Sequence, residues 1–264
     1  MTAVPGAVPT LEHDRRGPAS GALRLGLVPL WTIGCWLAWL LAGPGWGGAA
    51  RRRRVVRGWA RGLARILRVR VVSSGRAPEA PFLLVSNHLS YLDVVVLASL
   101  VDAVFVAKRE VRRWPLFGPA ARAIGCIFVD RESPRDALRA GAAMQDAVLA
   151  GHGVVLFAEG TSSDGSTVLE LRPALLEWPA RAGHEVHTAT VSYHTGPGDP
   201  PASESLCWWG DMTFLPHLSR VCRLGPSEAR VAFGGATISA PDRKSLARAL
   251  HAALLSHFTR SGSA

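Results

Sequence analysis

Phe82-Leu-Leu-Val-Ser-Asn-His-Leu-Ser-Tyr-Leu-Asp93, running on into Val94-Val-Val-Leu97, decides how this chain folds. The stretch Phe82–Val85 is apolar without alternation, the pattern of a strand covered on both faces. Ser90 reads as the N-cap of the helix that follows, with Asp93 three residues on as its capping-box partner. His88 then belongs to the turn between strand and helix. Two residues five apart on one helix lie about 140° out of phase, whereas a histidine in the preceding turn can fold back onto the carboxylate. The segment therefore predicts an imidazole–carboxylate pair at the exit of a buried strand.

Such a pair has a definite chemistry. A neutral imidazole can take a proton from an alcohol near neutral pH, and a carboxylate on its other nitrogen fixes the tautomer and stabilises the imidazolium. A helix-capping carboxylate beside an ordinary turn histidine has the same spacing, so the rest of the chain must decide between the two.

Working outward, short apolar runs at 104–107, 127–129, 154–157, 187–191 and 230–233 alternate with helical patterns. One helix is well punctuated, with Ser133 as N-cap, Pro134 at its first position and Gly151 just past its end. Another runs from Asp242 to about Phe258, with Leu246, Leu250 and Leu254 on one face. The expected fold class is α/β: a single domain with a mixed, largely parallel sheet covered by helices, preceded by an N-terminal membrane-anchoring helical segment. In parallel sheets, sites form beyond the carboxyl ends of the strands, so the blocks after Val85, Val129 and Phe157 should meet on one edge.

The charge is unevenly placed. The net +10 resides in residues 1–70, which hold twelve Arg against Glu12 and Asp14, while residues 71–264 carry eighteen basic and eighteen acidic groups. That neutral body argues against a nucleic-acid partner. The basic part brackets an uncharged stretch, Leu25–Ala42, eighteen residues containing Trp31, Trp36 and Trp39. This is near the lower limit for spanning a bilayer, and Pro29 leaves open a helix that enters one leaflet only. No small-residue cleavage site precedes Arg51, so a retained anchor is expected in place of a signal peptide. From Arg51 to Arg70, Val55, Trp59, Leu63 and Leu67 recur at helical spacing opposite arginines. That is the pattern of an interfacial helix on an anionic membrane surface, and it places this side in the cytoplasm. The expected organisation is a disordered tail at 1–20, the anchor and basic helix at 21–70, and the catalytic domain at 71–264. Cys35, Cys126, Cys207 and Cys222 form no Cys-x-x-Cys pair, and no P-loop, dinucleotide fingerprint or zinc motif is present.

The block Asn87–Asp93 resembles the catalytic motif of the glycerolipid, or 1-acylglycerol-3-phosphate, acyltransferases, and further blocks follow in that family's order. Lys108-Arg-Glu110, Pro115, Gly118 and Gly125-Cys-Ile-Phe-Val-Asp-Arg131 resemble the second motif, and Phe157-Ala-Glu-Gly-Thr-Ser162 the third. The resemblance covers about Val71 to Val191. It implies direct acyl transfer from an acyl thioester, of acyl-carrier protein or coenzyme A, to the hydroxyl of a lysolipid, with no bound cofactor and no metal. His88 would be the base and Asp93 its orienter. Arg131 would clamp an anion through its guanidinium, and Glu159, Gly160 and Thr161 would form the acceptor-binding turn. Lys108 would contact the acyl donor or the head group. The enzyme would sit at the cell inner membrane, its catalytic domain on the cytoplasmic face.

Two departures from the family pattern bear on the acceptor. Ala158 and Ser162 stand where the third motif usually has proline and arginine, and Thr190-Val-Ser-Tyr193 lacks the proline of the expected fourth motif. Glu159–Gly165 together with Trp209–His217 looks more like the branch that acylates lyso-ornithine lipid than like enzymes that use lysophosphatidate. A non-enzymatic basic membrane-surface or nucleic-acid-binding protein is the alternative class, opposed by the neutral body and the three ordered motifs.

Overall fold

β-Branched and leucine side chains make 82–86 a strand that is buried at every position. Leu84 faces one hydrophobic cluster and Leu83 and Val85 face another, so covering helices are required on both sides. A computed structural model of the protein describes residues 18–41, 48–114, 117–130 and 133–263. Residues 1–17 of the tail expected at 1–20, the Gly43-Pro-Gly break, Pro115 and Arg131 lie outside the described residues, while Pro18–Ser20 of that tail are helical, the first residues of a helix that runs to Leu41.

The strands are β1 (Val69–Ser74), β2 (Phe82–Ser86), β3 (Ala103–Lys108), β4 (Ile127–Val129), β5 (Gly153–Phe157), β6 (Val186–Thr195), β7 (Ser227–Phe233) and β8 (Gly262–Ser263). The helices are α1 (Pro18–Leu41), α2 (Gly48–Ile66), α3 (Leu92–Leu100), α4 (Phe117–Ala123), α5 (Pro134–Leu149), α6 (Glu177–Arg181), α7 (Ala202–Ser205), α8 (Phe214–Val221) and α9 (Arg243–His257). The sheet runs β1-β7-β6-β2-β5-β3-β4, with β8 beside β6. Only the β6–β7 pairing is antiparallel, which makes the sheet mixed and mostly parallel as expected. α2 and α3 cover one face, contributing Leu63, Leu67 and Val96 to its core. α5 and α9 cover the other through Met144, Leu246 and Leu250.

Several local expectations are met atom by atom. The Ser133 side chain accepts from Asp136 N at the start of α5, and Asp242 caps α9 by accepting from Lys244 N and Ser245 N. α1 is long and apolar enough to cross a membrane, with 11% of its most apolar window buried inside the protein.

Two expectations change. The boundary at residue 70 falls inside β1, whose six residues pair in parallel with β7. α2 is also more than an interfacial helix, because Ala60, Leu63, Ala64 and Leu67 are buried in the core. Its arginines are partly spent within the protein: Arg61 Nε donates to Ser99 O at the end of α3, and Arg53 pairs with Asp102 at 2.9 Å. α1 and α2 are stitched together by tryptophans. Trp31 Nε1 donates to Trp59 O and Trp59 Nε1 to Thr32 Oγ1, and Trp31 lies so close to Gly62 that a Cβ there would meet its ring at 2.2 Å.

Candidate active site

β2, β5, β3 and β4 are consecutive parallel strands, so their carboxyl ends share one edge of the sheet. The turn after β2 carries His88 to Asp93, the turn after β5 carries Glu159 to Ser162, and β3 ends at Lys108. β4 delivers Asp130 to the same edge.

His88 lies in the turn and folds back as expected. Its Nδ1 is 2.8 Å from Asp93 Oδ2, and the same oxygen accepts from Leu89 N at 2.7 Å and Ser90 N at 3.0 Å. The other carboxylate oxygen, Oδ1, accepts from the Tyr193 hydroxyl at 2.6 Å. Asp93 is completely buried, and the His88 side chain is 15% exposed. These four donors occupy both oxygens of a carboxylate cut off from water, so neither is left without a partner. The imidazole stacks on Phe157, ring centroids 4.3 Å apart. Because Nδ1 is engaged by Asp93, Nε2 is the nitrogen left for a reacting hydroxyl.

The capping expectation is half met. Asp93 reaches back to the backbone of Ser90, but the Ser90 hydroxyl is buried with no partner among the described residues, and Tyr91 occupies the N-cap position. The Asp93 N–H, the donor an N-cap serine hydroxyl would take, goes instead to the Ser90 backbone carbonyl at 3.0 Å.

Asn87 locks the turn from the other side. Its Nδ2 donates to Val191 O at 2.9 Å and its Oδ1 accepts from Val191 N at 2.7 Å. β6 continues beyond the last residue of β2, and the carboxamide completes the ladder where β2 stops. Neither this clamp nor Tyr193 has a signal in local sequence, since both partners lie on β6, more than a hundred positions away in one case and a hundred in the other.

Glu159 faces inward. It is 2% exposed, its Oε1 accepts from His88 N at 3.3 Å, and its Oε2 has no partner among the described residues. Desolvation raises its pKa from 4.5 to about 8, against the opposing hydrogen bond from His88 N. The carboxyl therefore braces the His88 turn and is neutral near pH 7. Ser163 N donates to His88 O at 3.0 Å, a second tie between the two turns. Gly160 has φ +76°, and Arg172 packs against it, its Nε 2.8 Å from where a Cβ would stand. Thr161 is exposed. Ser162 Oγ donates to Trp208 O, which fixes the Trp208–Trp209 loop beside the turn. Lys108 is exposed, with Nζ 3.8 Å from Glu110 Oε1.

His88, Lys108, Gly160, Thr161 and Ser162 line a cavity of about 520 Å³. Most of its wall is apolar and comes from α1, α2, α3 and α4, including Val28, Trp36, Trp59 and Phe117. A volume of this size accommodates a long hydrocarbon chain beside a polar group. The site thus joins a hydrogen-bonded imidazole to an apolar chamber, an arrangement suited to proton abstraction from an amphiphile.

Comparisons with known proteins place the chain in a family. The profile of the Acyltransferase family matches residues 68–194. The chain is 33% identical to the lyso-ornithine lipid O-acyltransferase of Brucella abortus (strain 2308), over 87% of this chain and 87% of that protein. It is 36% identical to the lyso-ornithine lipid O-acyltransferase of Rhizobium meliloti (strain 1021), over 70% of this chain and 67% of that one. The crystal structure of the 1-acyl-sn-glycerophosphate acyltransferase from Thermotoga maritima superposes with a TM-score of 0.60 at 16% identity, covering 89% of this chain and 96% of that one, a likeness of fold. The chain belongs to the acyltransferase family. It is an acyltransferase built on the mixed, mostly parallel sheet that this structural relative shares.

Proposed function

We propose that this enzyme transfers a fatty acyl group from an acyl thioester to the free hydroxyl of a lysolipid, with lyso-ornithine lipid the better acceptor. The hydroxyl oxygen attacks the thioester carbonyl while His88 Nε2 takes its proton. The C–S bond then breaks, and the proton passes from the imidazolium to the leaving thiolate. Asp93 holds the imidazole and stabilises its charged form. General-base catalysis of this kind contributes about 10²–10⁴-fold. Co-binding of two substrates supplies much of the rest. The observation that carries the reading is the His88–Asp93 pair, at 2.8 Å on the wall of the apolar cavity.

The acceptor assignment rests on the turn after β5 and on the relatives' names. Arg131, two positions past β4 in the sequence, is the proposed anion clamp. Gly160 and Thr161 offer backbone and hydroxyl to the head group, Lys108 stands at the cavity wall for head group or donor, and Glu159 serves by holding His88. An arginine at position 162 would add a charge-assisted phosphate contact worth about 1.5–3 kcal/mol, and Ser162 cannot make it. A zwitterionic ornithine head group loses less by that absence than a dianionic phosphate does. The curated relatives named above act on lyso-ornithine lipid by their titles. α1 and the basic face of α2 are the proposed attachment to the cytoplasmic face of the inner membrane, which brings the cavity to the lipid substrate.

Competing lyso-ornithine lipid and lysophosphatidate at equal concentration, with acyl-carrier protein and coenzyme A thioesters in parallel, tests the proposal. Faster consumption of lyso-ornithine lipid is expected. A clear preference for lysophosphatidate would overturn the head-group argument, and Arg172 or Lys108 would then be the phosphate ligand.

A further inference from the structure

Tyr193 ends the stretch Thr190-Val-Ser-Tyr193, which departs from the expected fourth motif, and its hydroxyl reaches the centre of the site. We propose that Tyr193 is a positioning residue which, through its 2.6 Å hydrogen bond to Asp93 Oδ1, holds the Asp93 carboxyl aimed at His88 and so tunes the working pH range of the pair. This rests on the reading of His88 as the base. Tyr193 and Asp93 are both completely buried, so no water replaces the bond if it is lost. Asp93 Oδ2 is already shared by three donors, His88 Nδ1, Leu89 N and Ser90 N. The tyrosine is the donor that Oδ1 has among the described residues.

The fold keeps that hydroxyl in place. Tyr193 lies on β6 opposite Ala229 of β7, and its backbone N–H donates to Ser261 Oγ at 3.0 Å. Two residues earlier, Val191 is clamped by Asn87. β6 is thus fixed to the active-site turn at both ends of a three-residue span, and the phenol cannot drift without breaking the sheet. A phenol beside a carboxylate could also share its proton the other way, but burial and the Asp93 charge push the Tyr193 pKa well up, which keeps the proton on the tyrosine.

The other ionisable groups facing the pair come from its own turn, from the turn after β5 and from the loop after α7. Tyr91 and Cys207 are both raised by burial and stay neutral. Glu159, at about 8, is neutral through the acid range, and Asp164 reaches the pair only through Cys207. The acid limb of the rate profile therefore reports the pair itself. A carboxylate with one donor fewer binds a proton more tightly, both on its own oxygen and through the imidazolium it stabilises. Both effects move the limb the same way, towards higher pH.

The test compares full-length enzyme in vesicles with Tyr193→Phe and with 3-fluorotyrosine placed at position 193. Tyr193→Phe is expected to lower kcat about tenfold, leave both KM values within about twofold, and raise the midpoint of the acid limb of kcat/KM by roughly half to one pH unit. Fluorotyrosine, a stronger donor of nearly the same shape, is expected to lower that midpoint with the fold intact. An acid limb unmoved by both changes would overturn the proposal, whatever happened to kcat, because a merely structural phenol loses rate evenly across pH. His88→Ala separates the two levels: if it abolishes turnover while the limb stays fixed in the tyrosine variants, only the role of Tyr193 falls. If His88→Ala remains active, the reading of the base falls with it.

Discussion

The turns after β2 and β5 leave neighbouring parallel strands and touch one another, yet they are built to opposite specifications. In the first, Asn87 and Asp93 are saturated: the carboxamide has both its ends on Val191 and the carboxylate receives four donors. In the second, Gly160 takes a left-handed conformation, Thr161 is exposed, and one oxygen of Glu159 goes unpartnered among the described residues. The difference matches the demands on each. In the proposed roles, a base must hold its geometry to a fraction of an ångström, whereas an acceptor-binding turn must leave backbone and hydroxyl groups open for an incoming ligand. Glu159 mediates between them, contributing its carboxyl to the rigid turn while its neighbours face the cavity.

The comparison can be broken most severely at the first turn. His88→Ala and Asp93→Asn are expected to cut the transfer rate by about 10²–10⁴-fold with far-ultraviolet circular dichroism unchanged. A His88→Ala enzyme retaining more than a tenth of the wild-type rate would show that the saturated turn is structural only. At the second turn, Ser162→Arg is expected to raise the ratio of lysophosphatidate to lyso-ornithine lipid turnover by about tenfold or more, the value of a restored charge-assisted contact. An unaltered ratio in the competition assay would mean that acceptor choice is made elsewhere.

Smaller effects sharpen the contrast. Gly160→Ala places a side chain at φ +76° and against Arg172, so a loss of about 1–2 kcal/mol in stability and a several-fold fall in rate are expected from denaturant titration and initial rates. Glu159→Gln should change the rate at pH 7 by less than about twofold, because the amide oxygen still accepts from His88 N. Its signature is in stability. The Glu159 pKa is about 8 in the folded enzyme against 4.5 ordinarily, so the native state binds the extra proton between those values. The resulting stability is fully present below about 4.5 and is lost as pH rises through about 8, a swing on the order of a few kcal/mol. Glutamine removes that loss, and the variant is expected to melt higher than wild type above pH 8. Equal melting temperatures at pH 9 would place Glu159 in a solvated setting.

Much of this was legible in local sequence, and the parts that were not share a cause. β2 is apolar from Phe82 to Val85 and β5 from Val154 to Phe157, and such runs announce strands covered on both faces. Ser133 and Asp242 mark helix starts through their own side chains. The His88–Asp93 pair could be read because both members sit within one turn. β1 was hidden because it is an edge strand whose Val69-Arg-Val-Val continues the arginine-rich pattern of α2, and only pairing with β7 makes it a strand. The inward turn of Glu159 depends on the backbone of His88, which sequence separates from it by 71 positions. The Ser90 cap failed for a local reason, since the Asp93 N–H that it would accept donates instead to the Ser90 backbone carbonyl.

The clamp of β6 on the active-site turn has a consequence for biosynthesis. A ribosome-bound chain that has emerged as far as Ser162, just past β5, already contains α1 and both turns from His88 to Ser162. It lacks Val191 and Tyr193, which lie 104 and 100 positions beyond their partners. The nascent polypeptide therefore holds His88 in an untied turn, and the His88–Asp93 geometry is completed only when the last third of translation has placed β6 against it.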